Sequence, residues 1–185
     1  MKRIFIALKV EASAELLRMI ATFKALLANE SITWVDPVNI HITLSFLGDT
    51  EEKKIGALAN MLKPRCSGFG EFEFNLAGTG VFKNFRDPRV IWVGIQSSEK
   101  LLMLSKIISD GLNENGLDIE ERQFKPHLTL GRIKSVRDKE NLKTVLERYR
   151  DSLFETVYVS EVILYESILT LMGPIYIPLG NFMLT

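Results

Sequence analysis

His41-Ile42-Thr43-Leu44 and His127-Leu128-Thr129-Leu130 hold the only two histidines of this 185-residue chain, each at the head of the same four-residue word. At ordinary amino-acid usage a given His is followed by aliphatic-Thr-Leu on the order of once in a thousand times. Chance does not account for both. The alternation also has physical content, because successive side chains of a strand point to opposite faces. Each His then shares a face with its Thr, while Ile42/Leu44 and Leu128/Leu130 share the other. Each word predicts a half-buried strand, anchored by aliphatics and presenting an imidazole beside a hydroxyl.

Working outward, residues 39–47 form the first motif strand, closed by Gly48-Asp49, and residues 127–133 form the second. A buried strand is expected at 2–9. Ser13 then caps a helix with Leu16, Leu17, Ile20, Phe23 and Leu27 on its apolar face. Thr50, followed by Glu51 and Glu52, predicts a helix start. Its inner face is Ile55, Leu58, Ala59 and Leu62, and Pro64 lies at its end. Strands are expected at Phe72–Leu76, Gly80–Phe82 and Val90–Ile95, with Lys83–Arg89 a loop carrying three positive charges. Ser98 caps a third helix, with Leu101, Leu104, Ile107, Ile108 and Leu112 inward. Asp138–Tyr149 reads as a short helix, 154–169 as one or two strands, and Tyr176–Leu179 as a last edge.

Clustered strands and short connections favour antiparallel pairing over a doubly wound parallel sheet. The two words stand close to half a chain apart in similar strand-helix surroundings. That spacing predicts an internal pseudo-duplication with one His from each lobe. No linker separates the halves, so residues 1–185 are expected to form a single bilobal domain of the α+β class.

Composition sets bounds. Lys plus Arg and Asp plus Glu number 23 each, for a formal charge of zero. That balance disfavours holding long nucleic acid by bulk electrostatics, but leaves room for a small phosphate-bearing ligand in a locally basic cleft. Cys66 is the only cysteine, which excludes a disulfide framework and a cysteine-based zinc site. The apolar run at the N-terminus is too short for a signal peptide, and no stretch reaches transmembrane length. A soluble, cytoplasmic protein without membrane association is expected.

Imidazole titrates near pH 6.5, so a His pair can hold one neutral and one protonated member near neutrality. That equips it for general base and general acid on opposite sides of a reacting phosphorus. Each Thr hydroxyl can donate to a non-bridging phosphate oxygen, where charge gathers in the transition state. Neither word contains an acidic residue, and two histidines are few for a metal site. Neither a metal nor a cofactor is expected.

Longer stretches carry a family likeness. They are Arg3–Leu8, Trp34–Gly48, Gly78–Phe82, Pro88–Gly94, Phe124–Arg132 and Leu164–Ser167. These resemble the two-histidine phosphoesterase superfamily, and within it the bacterial and archaeal RNA 2′,3′-cyclic phosphodiesterases, also named 2′-5′ RNA ligases. The resemblance implies two antiparallel sheets facing a central cleft, with helices on the outside. It implies metal-independent hydrolysis of a terminal ribose 2′,3′-cyclic phosphate to the 2′-phosphomonoester. RNA ends or small nucleotides bearing that group would be the substrates. His41 and His127 would be the catalytic pair, with His127 the base and His41 the acid. Thr43, Thr129 and Arg132 would bind the phosphate. Strict alternation puts Arg132 on the wrong face, so the strand must end or bulge near Gly131. Phe46 matches a base-stacking position, although alternation favours the core for it. Lys125, Lys83, Arg86 and Arg89 could meet RNA phosphates at the rim. The alternative activity is reversible, ATP-independent 2′-5′ ligation at the same site, since no G-x-x-x-x-G-K-[ST] word is present. A module that only binds cyclic phosphate ends would not need two titrating groups. A monomer is expected, because the cleft forms within one chain.

Overall fold

The computed structural model describes residues 1–117 and 124–185. In chain order the first half holds β1 (Lys2–Lys9), α1 (Ala14–Leu26), β2 (Ser31–Trp34), β3 (His41–Thr50), α2 (Ile55–Cys66) and β4 (Phe72–Asn84). Then follow β5 (Asp87–Gln96), α3 (Glu99–Glu114), β6 (His127–Ser135), α4 (Lys139–Glu147), β7 (Leu153–Val159), β8 (Glu161–Thr170) and β9 (Gly173–Met183).

Ile4, Ile6 and Leu8 leave β1 on one side and Phe5 and Ala7 on the other, and all five are buried. A strand that is apolar on both faces has to be covered on both. β1 accordingly lies inside a four-stranded sheet of order β3-β1-β8-β9. The second sheet has five strands in the order β2-β6-β5-β4-β7. Every pairing in both sheets is antiparallel. The fold is α+β with two antiparallel sheets, as the clustering of strands predicted.

The helices follow from their apolar stripes. Ser13 Oγ accepts from the Leu16 N–H and caps α1, which buries Leu16, Met19, Ile20 and Phe23. Asp138 caps α4 the same way through the Asn141 N–H. α2 and α3 pack on each other and on strands of the first sheet, whereas α1 lies on β7 and α4 on β4. One continuous core runs through both sheets and all four helices. A separate small cluster, Phe5, Ala7, Ile163 and Tyr165 with Tyr176, covers the other face of the first sheet. Among the described residues no helix is long and apolar enough to cross a membrane.

Several boundaries differ from expectation. Thr50 does not cap a helix; it ends β3 opposite Lys2, and α2 begins only at Ile55 after a 3-10 turn. Pairing with β1 outcompeted the capping signal. Pro64 lies inside the last turn of α2, where the carbonyl it leaves without a donor belongs to the exposed Asn60. Ser98 precedes α3 but its side chain makes no cap bond. Leu17 is 37% exposed and Ile107 half-buried, so neither joins the core. The two short strands expected before Lys83 are one, β4, continued through Gly78 at φ +68° by a bulge. The expected seven-residue loop is a tight hairpin leaving only Phe85 and Arg86 between β4 and β5. Residues 154–169 make two strands, and β9 is an eleven-residue edge carrying Pro174 and Pro178. β2 was not foreseen, since four residues are too few to establish alternation.

Gly131 lies on β6 under β2, where a Cβ would stand 2.9 Å from Ile32 Cγ2 and 3.1 Å from the Trp34 ring. Gly131→Ala is expected to destabilise the protein by about 1–3 kcal/mol, the usual scale of core overpacking. A urea midpoint unchanged by the substitution would contradict this packing.

Candidate active site

The two motif strands belong to different sheets, yet β3 and β6 approach within 8 Å between Cα atoms. Each ends its four-residue word on an unpaired residue. Along β3, Ala7 faces Thr43 and Ile6 faces Ser45, so Leu44 is skipped. Along β6, Trp92 faces Thr129 and Ile91 faces Gly131, so Leu130 is skipped. A bulge of this kind inverts the alternation beyond it. Ile42, Leu44, Leu128 and Leu130 are buried, while His41, Thr43, His127 and Thr129 stay partly open on the opposite face. After the bulge the residue five beyond each His returns to the His face. In β3 that residue is Phe46 and in β6 it is Arg132. The bulge that Arg132 required is therefore present. Phe46 is 51% exposed rather than in the core, and the Arg3 guanidinium lies 5.0 Å from its ring centre.

Both imidazoles are oriented in the same way. His41 Nδ1 is 2.7 Å from the Asn39 carbonyl, and His127 Nδ1 is 2.6 Å from the Lys125 carbonyl. A carbonyl only accepts, so each Nδ1 carries the hydrogen and each neutral ring keeps its lone pair on Nε2. His41 Nε2 lies 3.0 Å from Thr43 Oγ1, whose hydroxyl donates to the neutral ring. Aromatic side chains back the rings. Tyr176 meets His41 edge-on at 5.2 Å and Phe5 lies tilted at 5.1 Å. Phe82 meets His127 edge-on at 4.9 Å.

Burial among these rings pushes both imidazoles below their ordinary value. The carbonyl bonds of Asn39 and Lys125 act in the opposite direction and only partly offset it. The Arg132 charge lowers both further, and the charge on His127 lowers His41. Two imidazoles, one guanidinium and two Thr hydroxyls thus bear on one region. The electrostatics suit an anion, which would restore protons that the free site sheds.

The sequence named His41, His127, Thr43, Thr129 and Arg132, and the fold puts them on two strands that approach each other from different sheets. It did not name Phe5, Tyr176 or Phe82, whose signal lies only in cross-strand register. The carbonyls of Asn39 and Lys125 were also missed, although each stands two residues before its His. Among the rim cations, Lys83 and Arg89 both bind Asp87, at 3.1 and 3.0 Å. Hydrogen bonding from Lys83 holds the Asp87 carboxyl below the usual range; desolvation opposes it, and the Arg89 hydrogen bond and both nearby charges add to the lowering. Lys139 Nζ donates to the Arg86 carbonyl at 2.6 Å. Among the described residues no group of three or more His, Cys, Asp or Glu side chains gathers as a metal site.

Comparison with known proteins bears on this geometry. Residues 6–92 and 93–176 each match the model of one family, described as LigT like phosphoesterase, so the model fits twice with one motif in each half. A Thermotoga maritima protein named RNA 2′,3′-cyclic phosphodiesterase is 39% identical over 78% of this chain and 75% of its own. An Archaeoglobus fulgidus protein of the same name is 33% identical over 97% of this chain and 99% of its own. The crystal structure of E. coli LigT complexed with 3′-AMP superimposes with a TM-score of 0.77 at 26% identity, covering all of this chain and 98% of the other.

With only two histidines, NMR titration resolves both directly. Each is expected to titrate below the ordinary value of about 6.5. Inorganic phosphate should raise both, because an anion favours imidazolium. Arg132→Met should also raise both by removing a neighbouring positive charge. An ordinary value for either ring, insensitive to Arg132, would contradict the site.

Proposed function

The chain belongs to the LigT-like phosphoesterase family, and from that premise we propose that it is an RNA 2′,3′-cyclic 3′-phosphodiesterase. The observation that carries this is the pair of Nε2-presenting imidazoles on neighbouring strands of the two sheets, both under the influence of Arg132. The relatives carry the phosphodiesterase name, and hydrolysis rather than ligation is the proposed direction.

His127 Nε2 takes a proton from water as its oxygen attacks phosphorus. The bond from phosphorus to O3′ breaks, and His41, protonated once the anion is bound, gives its proton to O3′. The product is a 2′-phosphomonoester with a free 3′-hydroxyl. Thr43, Thr129 and Arg132 hold the non-bridging oxygens, where negative charge accumulates in the transition state. Phe46, exposed on the same face with Arg3 over it, serves as a platform for the terminal base. Residues 1–185 act as one unit, since one core runs through both halves. A monomer in the cytoplasm fits this chemistry. Cys66 is buried, its thiol pushed up to about 11 by that burial, and asks for no oxidising compartment.

An oligoribonucleotide ending in 2′,3′-cyclic phosphate, incubated with the protein in EDTA, is expected to yield only the 2′-phosphate. His41→Ala and His127→Ala should each lower turnover at least ~10²-fold, the scale of one general acid or base. The kcat/KM profile should be bell-shaped and centred below about pH 6.5, because both imidazoles are depressed in the free enzyme. The kcat profile should move to higher pH, because the bound anion raises both. Full activity in either His variant, or turnover abolished by EDTA and restored by zinc, would refute the mechanism.

A further inference from the structure

A cavity of about 220 Å³ opens beside His41, walled by Lys9, Asn39, Tyr165, Tyr176 and Pro178. No step of the hydrolysis uses it. Lys9 is the cross-strand partner of His41, so the two side chains leave the sheet side by side on one face. The Lys9 ammonium is half exposed and has one partner among the described residues, the almost fully exposed Glu11 carboxylate at 3.6 Å. An exposed pair of that kind contributes little and exchanges readily for a better anion. Tyr165 is buried and stacks on Phe5, while the partly buried Tyr176 meets Phe5 edge-on, which fixes both rings at the cavity wall. A cation with two phenol hydroxyls is equipment for a sugar-phosphate group.

The stereochemistry of ribose says which one. In a 2′,3′-cyclic phosphate the phosphorus spans O2′ and O3′. C1′, which bears the base, and C4′, which bears the 5′-carbon, stand on opposite flanks of that edge. Along β3 the site has Phe46 toward one end and His41, with the cavity, toward the other. A base resting on Phe46 sends the 5′-carbon and its phosphate toward Lys9.

We propose that this cavity binds the phosphate that joins the terminal nucleotide to the preceding one, held by Lys9 and the hydroxyls of Tyr165 and Tyr176. The enzyme then selects RNA chain ends over free cyclic mononucleotides. This selectivity rests on the phosphodiesterase reading above.

The test compares kcat/KM for the diadenylate ApA ending in 2′,3′-cyclic phosphate with that for 2′,3′-cyclic AMP. The wild-type protein is expected to favour the dinucleotide about tenfold, the scale of one charge-assisted hydrogen bond. Lys9→Met should erase that preference while leaving the mononucleotide rate unchanged, and Lys9→Arg should keep it. The unchanged mononucleotide rate doubles as evidence that the variant is folded. The salt dependence of dinucleotide binding should also become shallower in Lys9→Met, by about one phosphate contact. Equal loss on both substrates, or no loss on the dinucleotide, would overturn the subsite and leave the phosphodiesterase standing. Hydrolysis of neither substrate by the wild-type protein would overturn the phosphodiesterase itself, and the subsite with it.

Discussion

Leu44 and Leu130 each take a place in a motif strand for which the neighbouring strand has no counterpart. Each leucine is buried, so its side chain anchors the word while its backbone drops out of the ladder on that side. On the other edge of β6 the Leu130 carbonyl still accepts from the Val35 N–H, which limits the loss. The effect on geometry is larger than the energetic loss of about one hydrogen bond, roughly 0.5–1.5 kcal/mol. A regular strand would bury Phe46 and Arg132 under the sheets. With the extra residue, His, Thr and a third side chain line up on one surface in each half.

The halves repeat this device but fill it differently. Where β3 brings an aromatic ring, β6 brings a guanidinium at the corresponding place. Aromatic backing of the imidazole also recurs, from Tyr176 and Phe5 in one sheet and Phe82 in the other. The repeated parts can perform symmetric chemistry, proton removal on one side and proton delivery on the other. The unlike parts break the symmetry, and in the proposed mechanism they would give a bound nucleotide one orientation. The helices do not respect the halves, because α1 covers the five-stranded sheet and α3 the four-stranded one. Neither half could keep its packing alone.

Much of this was legible. Repetition of a four-residue word exposed the two motif strands, and period-2 alternation fixed which side chains were buried as far as the leucines. Beyond them alternation misplaced Phe46, and Arg132 was rescued only by asking what geometry its role would demand. A bulge depends on the partner strand, whose register no local pattern records. The same limit explains Thr50, whose hydroxyl and acidic neighbours look like a cap although pairing with Lys2 keeps it in the strand. It explains β9 as well, where Gly173, Pro174, Pro178 and Gly180 read as breakers and only pairing with β8 makes the segment a strand. The aromatic backing of the imidazoles was invisible for the corresponding reason, as Phe5, Phe82 and Tyr176 come from three strands far apart in the chain.

The two prolines of β9 have a consequence beyond the cleft. A free sheet border with a full row of amide donors invites a strand from another molecule to dock and extend it. Pro174 and Pro178 interrupt that row at the outermost strand of the four-stranded sheet. The border can therefore stay open beside the motif strands without inviting edge-to-edge pairing, and crowding should not seed fibres from it.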